Sequence, residues 1–303
     1  MQEWNRKLLE SCSRQWDDAM AHTDNFCAEI RSKAAVDRHA EDSAASYDEG
    51  MGKDASRVVT AMEQIRRRGF IGKEMTALDI GSGTGIFTIP FAKEYGQVTS
   101  LDISPAMQEI IRKKAASEGL ENIDYKSGNW HTLDLDDAGL AGQYDLVLSS
   151  LNTRGICSQK TLLKMNQASR QGCCIVSFTG GGQKNHSKEL NQLILGRQLT
   201  SAGGNDIIMP FNLIYHLGGQ PDMAYSKIEW EKSYSADEAV ESVCDQFWRF
   251  AEITPEIRAK VEAYVNTHLE KDGLYHERAR IPVAVMVWDA RLVRENTGDK
   301  GCV

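Results

Sequence analysis

Apolar positions change period partway along this chain. Over the first 70 residues they recur at helical spacing. Trp4, Leu8, Trp16 and Met20 set one face, and Phe26, Cys27 and Ile30 continue it. After a small-residue, glycine-bearing break, SAASYDEGMGKDAS, the stripe Val58, Val59, Met62 and Ile65 predicts a further helix. From residue 75 short apolar runs alternate with helical segments. MTALDI, QVTSLDIS, IDYKSGNW, YDLVLSS and CCIVSFTG read as five strands. The helices between them imply crossover connections, hence a parallel, doubly wound α/β sheet.

The last third breaks that rhythm. YSKIEWEKSYS and RIPVAVMVWDA predict two more strands, giving a mostly parallel seven-stranded sheet. Between them the capping box Ser235-Ala-Asp-Glu238 opens one helix, and Thr254-Pro255 opens another that Gly273 stops. Two further helical stretches, NHSKELNQLILGRQLTSAG and DIIMPFNLIYHLGG, precede this pair. The pattern divides the chain into an N-terminal helical lid at 1–56 and a sheet domain at 57–290. A helical cap insertion is expected at 183–222, and a polar tail at 291–303.

Composition narrows the partners. The 303 residues are 41% hydrophobic and 26% charged, as in a soluble globular protein. A net charge of −8 argues against a broad polyphosphate-binding surface, and so against nucleic acid as the partner, while leaving room for a local basic groove. The N-terminal MQEWNRKLLESCSRQWDD lacks the apolar core of a signal peptide, and no stretch reaches the length of a membrane span. The seven cysteines form no C-x-x-C pair, which predicts reduced thiols and a cytoplasmic location without membrane association. Cys173 and Cys174 read as small packed hydrophobes. With no H-x-x-x-H or C-x-x-C ligand spacing, no metal is expected.

The candidate chemistry centres on ALDIGSGTGIF, residues 77–87. Three glycines at alternate positions, Gly81, Gly83 and Gly85, let backbone N–H groups approach a nucleotide-bearing ligand. A dinucleotide site needs a third glycine for close helix packing where this chain has Ile86. Asp79, two residues before the turn, offers nothing to a pyrophosphate but would favour an ammonium group. A nucleoside carrying an amino acid fits better than a nicotinamide dinucleotide.

LDIGSGTGI resembles the first motif of the class I S-adenosylmethionine-dependent methyltransferases, and the later motifs follow in that family's order from about residue 73 to 180. The resemblance implies S-adenosylmethionine as cofactor and S-adenosylhomocysteine as its product. It implies that Asp79 holds the methionine ammonium, that Gly81, Ser82, Gly83 and Gly85 form the turn under the methionine and ribose, and that Asp102 accepts both ribose hydroxyls. By the same resemblance Ile103 and Met107 pack on the adenine, Asn129 receives its amino group and Trp130 covers the ring. Ser149 and Ser150 would face the methionine and its methyl group.

Acceptor residues are less marked. Tyr47 resembles a recurring lid tyrosine of small-molecule methyltransferases, or else packs between lid and core. Asn152 and Arg154, after the fourth strand, could orient an anionic acceptor, or Arg154 could be a solvated loop residue. Tyr215 lies where such enzymes build an acceptor lid. His216 is the first candidate base and His131 the second, although a lone histidine is more often structural. The expected function is methyl transfer to a small molecule by direct displacement. A protein or RNA acceptor, or a non-catalytic module that binds the same cofactor, remain alternatives.

Overall fold

A computed structural model describes residues 3–22, 55–152, 155–180, 183–199, 206–247 and 250–297. Among these residues, the helices α1 (Glu3–Ala21) and α2 (Ser56–Arg67) precede the sheet. Then come β1 (Thr76–Ile80), α3 (Thr88–Glu94), β2 (Gln97–Asp102), α4 (Pro105–Ser117), β3 (Ile123–Ser127), β4 (Tyr144–Ser150), α5 (Gln159–Ala168) and β5 (Ser169–Phe178). The remainder is β6 (Gln183–Lys184), α6 (Ser187–Leu195), α7 (Ile208–His216), β7 (Asp222–Tyr234), α8 (Ala236–Phe247), α9 (Pro255–Thr267), β8 (Tyr275–Asp289) and α10 (Ala290–Thr297).

The five early strands pair in parallel in the order β3-β2-β1-β4-β5. β8 joins β5 antiparallel, with Ile175 opposite Met286, and β7 lies antiparallel on the far side of β8. The seven expected strands are all present, and the two-residue β6 adds a short pairing to β8. Central strands are buried on both faces, which is why their sequences read as continuous apolar runs and not as alternation. On one face α2, α3 and α4 cover Ala77, Val98, Leu146 and Val285. On the other, α1, α5, α7 and α10 cover Leu78, Ile80, Val147 and Met286, with Trp16 of α1 buried among them.

Local signals behave as the residue chemistry requires. The Ser104 hydroxyl accepts from Met107 N at 3.4 Å, and Pro105 follows at the first helical position of α4. Ser235 and Glu238 bond reciprocally at the start of α8. Cys173 and Cys174 are fully buried in β5, and burial pushes both thiols up.

Beyond the end of β5 the β7–β8 pairing continues from Ser226–Val283 to Tyr234–Tyr275. α6, α8 and α9 form a separate apolar cluster against Tyr234 and Tyr275 at this projecting end. The insertion expected at 183–222 is thus divided. Its first half, with α6, joins α8 and α9, whereas α7 packs on the sheet face against α1.

The described part of the expected polar tail is helical. Residues 290–297 form α10, which buries Ala290 and Val293. Arg294 fastens this helix, donating to the carbonyls of Asn166, Ser169 and Arg170 at 2.5–2.9 Å.

Candidate functional site

The glycine turn follows β1 directly. Gly81, Gly83 and Gly85 have φ values of +67°, +53° and +85°, a conformation that a side chain would strain. Gly81 N and Ser82 N donate to the Leu101 carbonyl, and the buried Ser82 and Ser100 hydroxyls lie 2.7 Å apart beneath the turn. Behind it, a Cβ on Gly85 would stand 2.9 Å from Ile111 of α4, so this glycine serves close helix packing.

Asp102 ends β2 beside the turn. Its two carboxylate oxygens accept separately from Gly83 N and Ser104 N, each at 2.8 Å. A carboxylate has about four acceptor positions, so two lone pairs are left for a ligand's hydroxyls. The neighbouring Ile103 is 65% exposed, an apolar surface at the carboxyl end of the strand.

A cleft opens at the carboxyl ends of β1 and β4, lined by the glycine turn, Asp79, Arg57, Ile86, Ser150 and Leu151. Asp79 is only 2% exposed. Burial pushes its carboxyl up to about 7, opposed by the Thr88 hydroxyl that donates at 2.6 Å and reinforced by the charge of Asp102. Arg57, also 2% exposed, reaches the same cleft from the first turn of α2. Sequence reasoning missed Arg57. Its signal was positional: Arg57, Ala61 and Ile65 share one helical face, so this arginine lies on the buried side of an apolar stripe. Thr88 and Ser100 were missed as well, and a lone hydroxyl residue in a strand or helix carries no sequence signal.

Several expected residues stand elsewhere or are already engaged. Ser149 is buried and donates to the Ile80 carbonyl, so of the two serines ending β4 it is Ser150 that lines the cleft. Asn129 is exposed, and its Oδ1 accepts from His131 N at 3.0 Å. Trp130 is packed in the core at 3% exposure and donates to the Thr161 carbonyl, so little of its ring is offered to a ligand. Met107 sits half-buried in the first turn of α4. Asn152 is held within the protein, its Oδ1 accepting from Gly155 N at 2.9 Å. Tyr47 and Arg154 lie outside the described residues.

The two histidine candidates do not meet at the cleft. His131 is exposed in the loop after β3, its Nδ1 3.5 Å from Cys157 Sγ. α7 starts where Ile207 N donates to the Phe178 carbonyl, at the carboxyl end of β5. It then descends until the Leu217 carbonyl accepts from Asn296 of α10. Tyr215, 61% exposed, and His216 therefore lie toward the amino ends of the parallel strands, away from the glycine turn. The acceptor role expected of them has no support in this placement. Among the described residues, no group of three or more His, Cys, Asp or Glu side chains is arranged to hold a metal, and no helix is long and apolar enough to cross a membrane.

Residues 77–172 match the family model described as a methyltransferase domain. The chain is 28% identical over 124 residues to a malonyl-[acyl-carrier protein] O-methyltransferase of Priestia megaterium, covering 39% of this chain and 42% of that one. It is 30% identical over 93 residues to a release factor glutamine methyltransferase of Xylella fastidiosa, covering 30% and 32%. A ubiquinone/menaquinone biosynthesis C-methyltransferase of Zymomonas mobilis is 38% identical over 60 residues, covering 20% and 25%. The chain thus spans less than half the length of each of these relatives. A doubly wound sheet with an antiparallel final pair, a glycine turn ending β1 and an acid ending β2 accompany the matched domain. Together they agree with a methyltransferase domain at residues 77–172, about a third of the chain.

Proposed function

We propose that this protein transfers the methyl group of S-adenosylmethionine to a small-molecule acceptor by direct displacement. The observation that carries the reading is the pair of buried acidic and basic side chains, Asp79 and Arg57, on one cleft beside the glycine turn. An amino-acid zwitterion requires one of each sign. Asp79 would receive the ammonium and Arg57 the carboxylate, for which a guanidinium fork is well shaped. Asp102 would accept the ribose hydroxyls with its remaining lone pairs, and the exposed Ile103 would lie under the adenine. Gly81, Gly83 and Gly85 would let the backbone approach the sugar.

When bound, the sulfonium supplies an activated methyl group. The protein's part is to align the acceptor with it and to exclude water. The acceptor would enter beside Ser150 and Leu151, at the carboxyl end of β4. The matched relatives are named for diverse acceptors: a release-factor glutamine, a carrier-borne malonyl group and a quinone precursor.

Calorimetric titration with S-adenosylmethionine, S-adenosylhomocysteine and NAD tests the cofactor. The first two should bind stoichiometrically and the third should not. Asp102→Ala should lose at least tenfold in affinity, about 1.4 kcal/mol. Unchanged affinity in that variant would remove the ribose assignment, and binding of NAD alone would remove the whole reading.

A further inference from the structure

Asn152 is held by two glycines that belong to different loops. On one side is Gly81, the first residue of the glycine turn, where a Cβ would stand 2.5 Å from Asn152 Nδ2 and 2.7 Å from Cγ. On the other is Gly155, where a Cβ would overlap the same amide outright. Neither loop could adopt its present path with a side chain at that glycine while Asn152 stays in place.

Hydrogen bonds fix the amide between them. Its Oδ1 accepts from Gly155 N at 2.9 Å, and its Nδ2 faces the Ile80 carbonyl at 3.5 Å, the last peptide before the turn. The Asn152 carbonyl accepts from Ile156 N at 3.0 Å. The residue before it, Leu151, is in the left-handed region at φ +52°, a conformation that costs on the order of 1 kcal/mol for a non-glycine residue. Leu151 N is tied to the Val176 carbonyl of β5 at 2.8 Å, so the strained residue is held from the sheet side too. Strain of this kind persists only where surrounding contacts impose it. Here they direct the Asn152 side chain across the top of β1.

We infer that Asn152 is a positioning residue that sets the glycine turn against the loop after β4. The turn presents backbone to the cofactor, whereas the second loop contributes Ser150 and Leu151 to the cleft. One half-buried amide therefore aligns the cofactor side of the cleft with its acceptor side. Its polar atoms bond within the protein, so the role inferred for it is to position the two loops. The inference rests on reading the cleft as the cofactor site.

The test compares wild type, Asn152→Ala, Gly155→Ala and the double variant, reading S-adenosylhomocysteine affinity together with amide hydrogen exchange. Asn152→Ala should weaken binding at least tenfold. Gly155→Ala, which changes no residue lining the cleft, should weaken it comparably by displacing the amide. The double variant should bind no worse than Asn152→Ala alone, because the collision has no partner left. Losses that multiply in the double variant, or an Asn152→Ala affinity within about twofold of wild type, would overturn the inference.

Exchange keeps the question decidable if Gly155→Ala does not fold. In Asn152→Ala without ligand, exchange should quicken both at Gly155–Ile156 and across Gly81–Gly83. Quickening confined to residues 155–156 would mean that Asn152 braces only its own loop, and the inference would fall. Should wild type bind neither S-adenosylmethionine nor S-adenosylhomocysteine, the functional reading fails by itself, and the exchange pattern still decides the role of Asn152.

Discussion

Asp79, the proposed ammonium-binding group, shows how such a group can oppose the stability of the fold that holds it. Its carboxyl titrates near 7 because burial disfavours the charged form more than the Thr88 hydroxyl supports it. In the unfolded chain an aspartate releases its proton near 3.9. Between those two values the native state holds a proton that the unfolded state has lost, so stability falls as pH rises through about 4 to 7 and then levels. An ammonium ligand reverses the preference by stabilising the ionised form, so cofactor affinity should rise over the upper part of the same window. Asp79→Asn should therefore stabilise the ligand-free protein at pH 8, on the order of 1–4 kcal/mol, while weakening S-adenosylmethionine and flattening the pH dependence of its binding. Unfolding and titration at pH 5 and pH 8 measure both, and an unchanged melting temperature at pH 8 would contradict the buried-charge account. Asp79 and Asp102 were legible in the sequence because each sits at a fixed step from a strand end and the glycines. Arg57 was legible only through its helical register, against the ordinary expectation that arginine is solvated. Asn152 and Trp130 could not be placed from sequence, since what engages them is contributed by residues distant in the chain.

Among elements, the strands were the most readable, because burial on both faces writes them as short apolar runs with few alternatives. α10 was not readable. Only Ala290 and Val293 are buried among polar residues, too few positions to show a period, and the element depends on what it touches. Arg294 is that contact, with three hydrogen bonds to carbonyls at the amino end of β5 and the end of α5. Charged hydrogen bonds of this kind are worth about 1.5–3 kcal/mol each before non-additivity. Arg294→Ala should cost roughly 2–3 kcal/mol in urea unfolding and leave cofactor affinity unchanged, since the helix lies at the far end of the sheet from the glycine turn. A loss of affinity larger than the loss of stability would show that the two ends of the sheet are coupled. α7, expected near the acceptor, packs on the sheet face instead for a related reason. Its sequence establishes a helix, but whether an insertion covers a cleft or a sheet face is decided by which apolar surface is vacant, and α1 presents Trp16 and Met20 to it.

At the scale of the whole molecule, charge separates the acceptor classes. The chain carries 43 acidic and 35 basic side chains, the net −8 noted above, and the cleft holds Asp79 as well as Arg57. An RNA acceptor would have to be gripped through its phosphates by lysine and arginine, with counterions released on binding. Six to ten such contacts lose about 10³–10⁵ in affinity between roughly 50 and 200 mM salt. A small acceptor would make only one or two charged contacts at the cleft and release few counterions. S-adenosylhomocysteine release should therefore be supported by the low-molecular-weight fraction of a cell extract, and it should change only a few-fold over that salt range. Release supported solely by the RNA fraction, with a steep fall in salt, would assign the cleft to nucleic acid despite the acidic surface. Release supported solely by the protein fraction, insensitive to salt, would place the acceptor on a macromolecule presented by neutral contacts. The projecting β7–β8 pair with α6, α8 and α9 would then be the surface to examine, because it continues beyond the carboxyl end of β5.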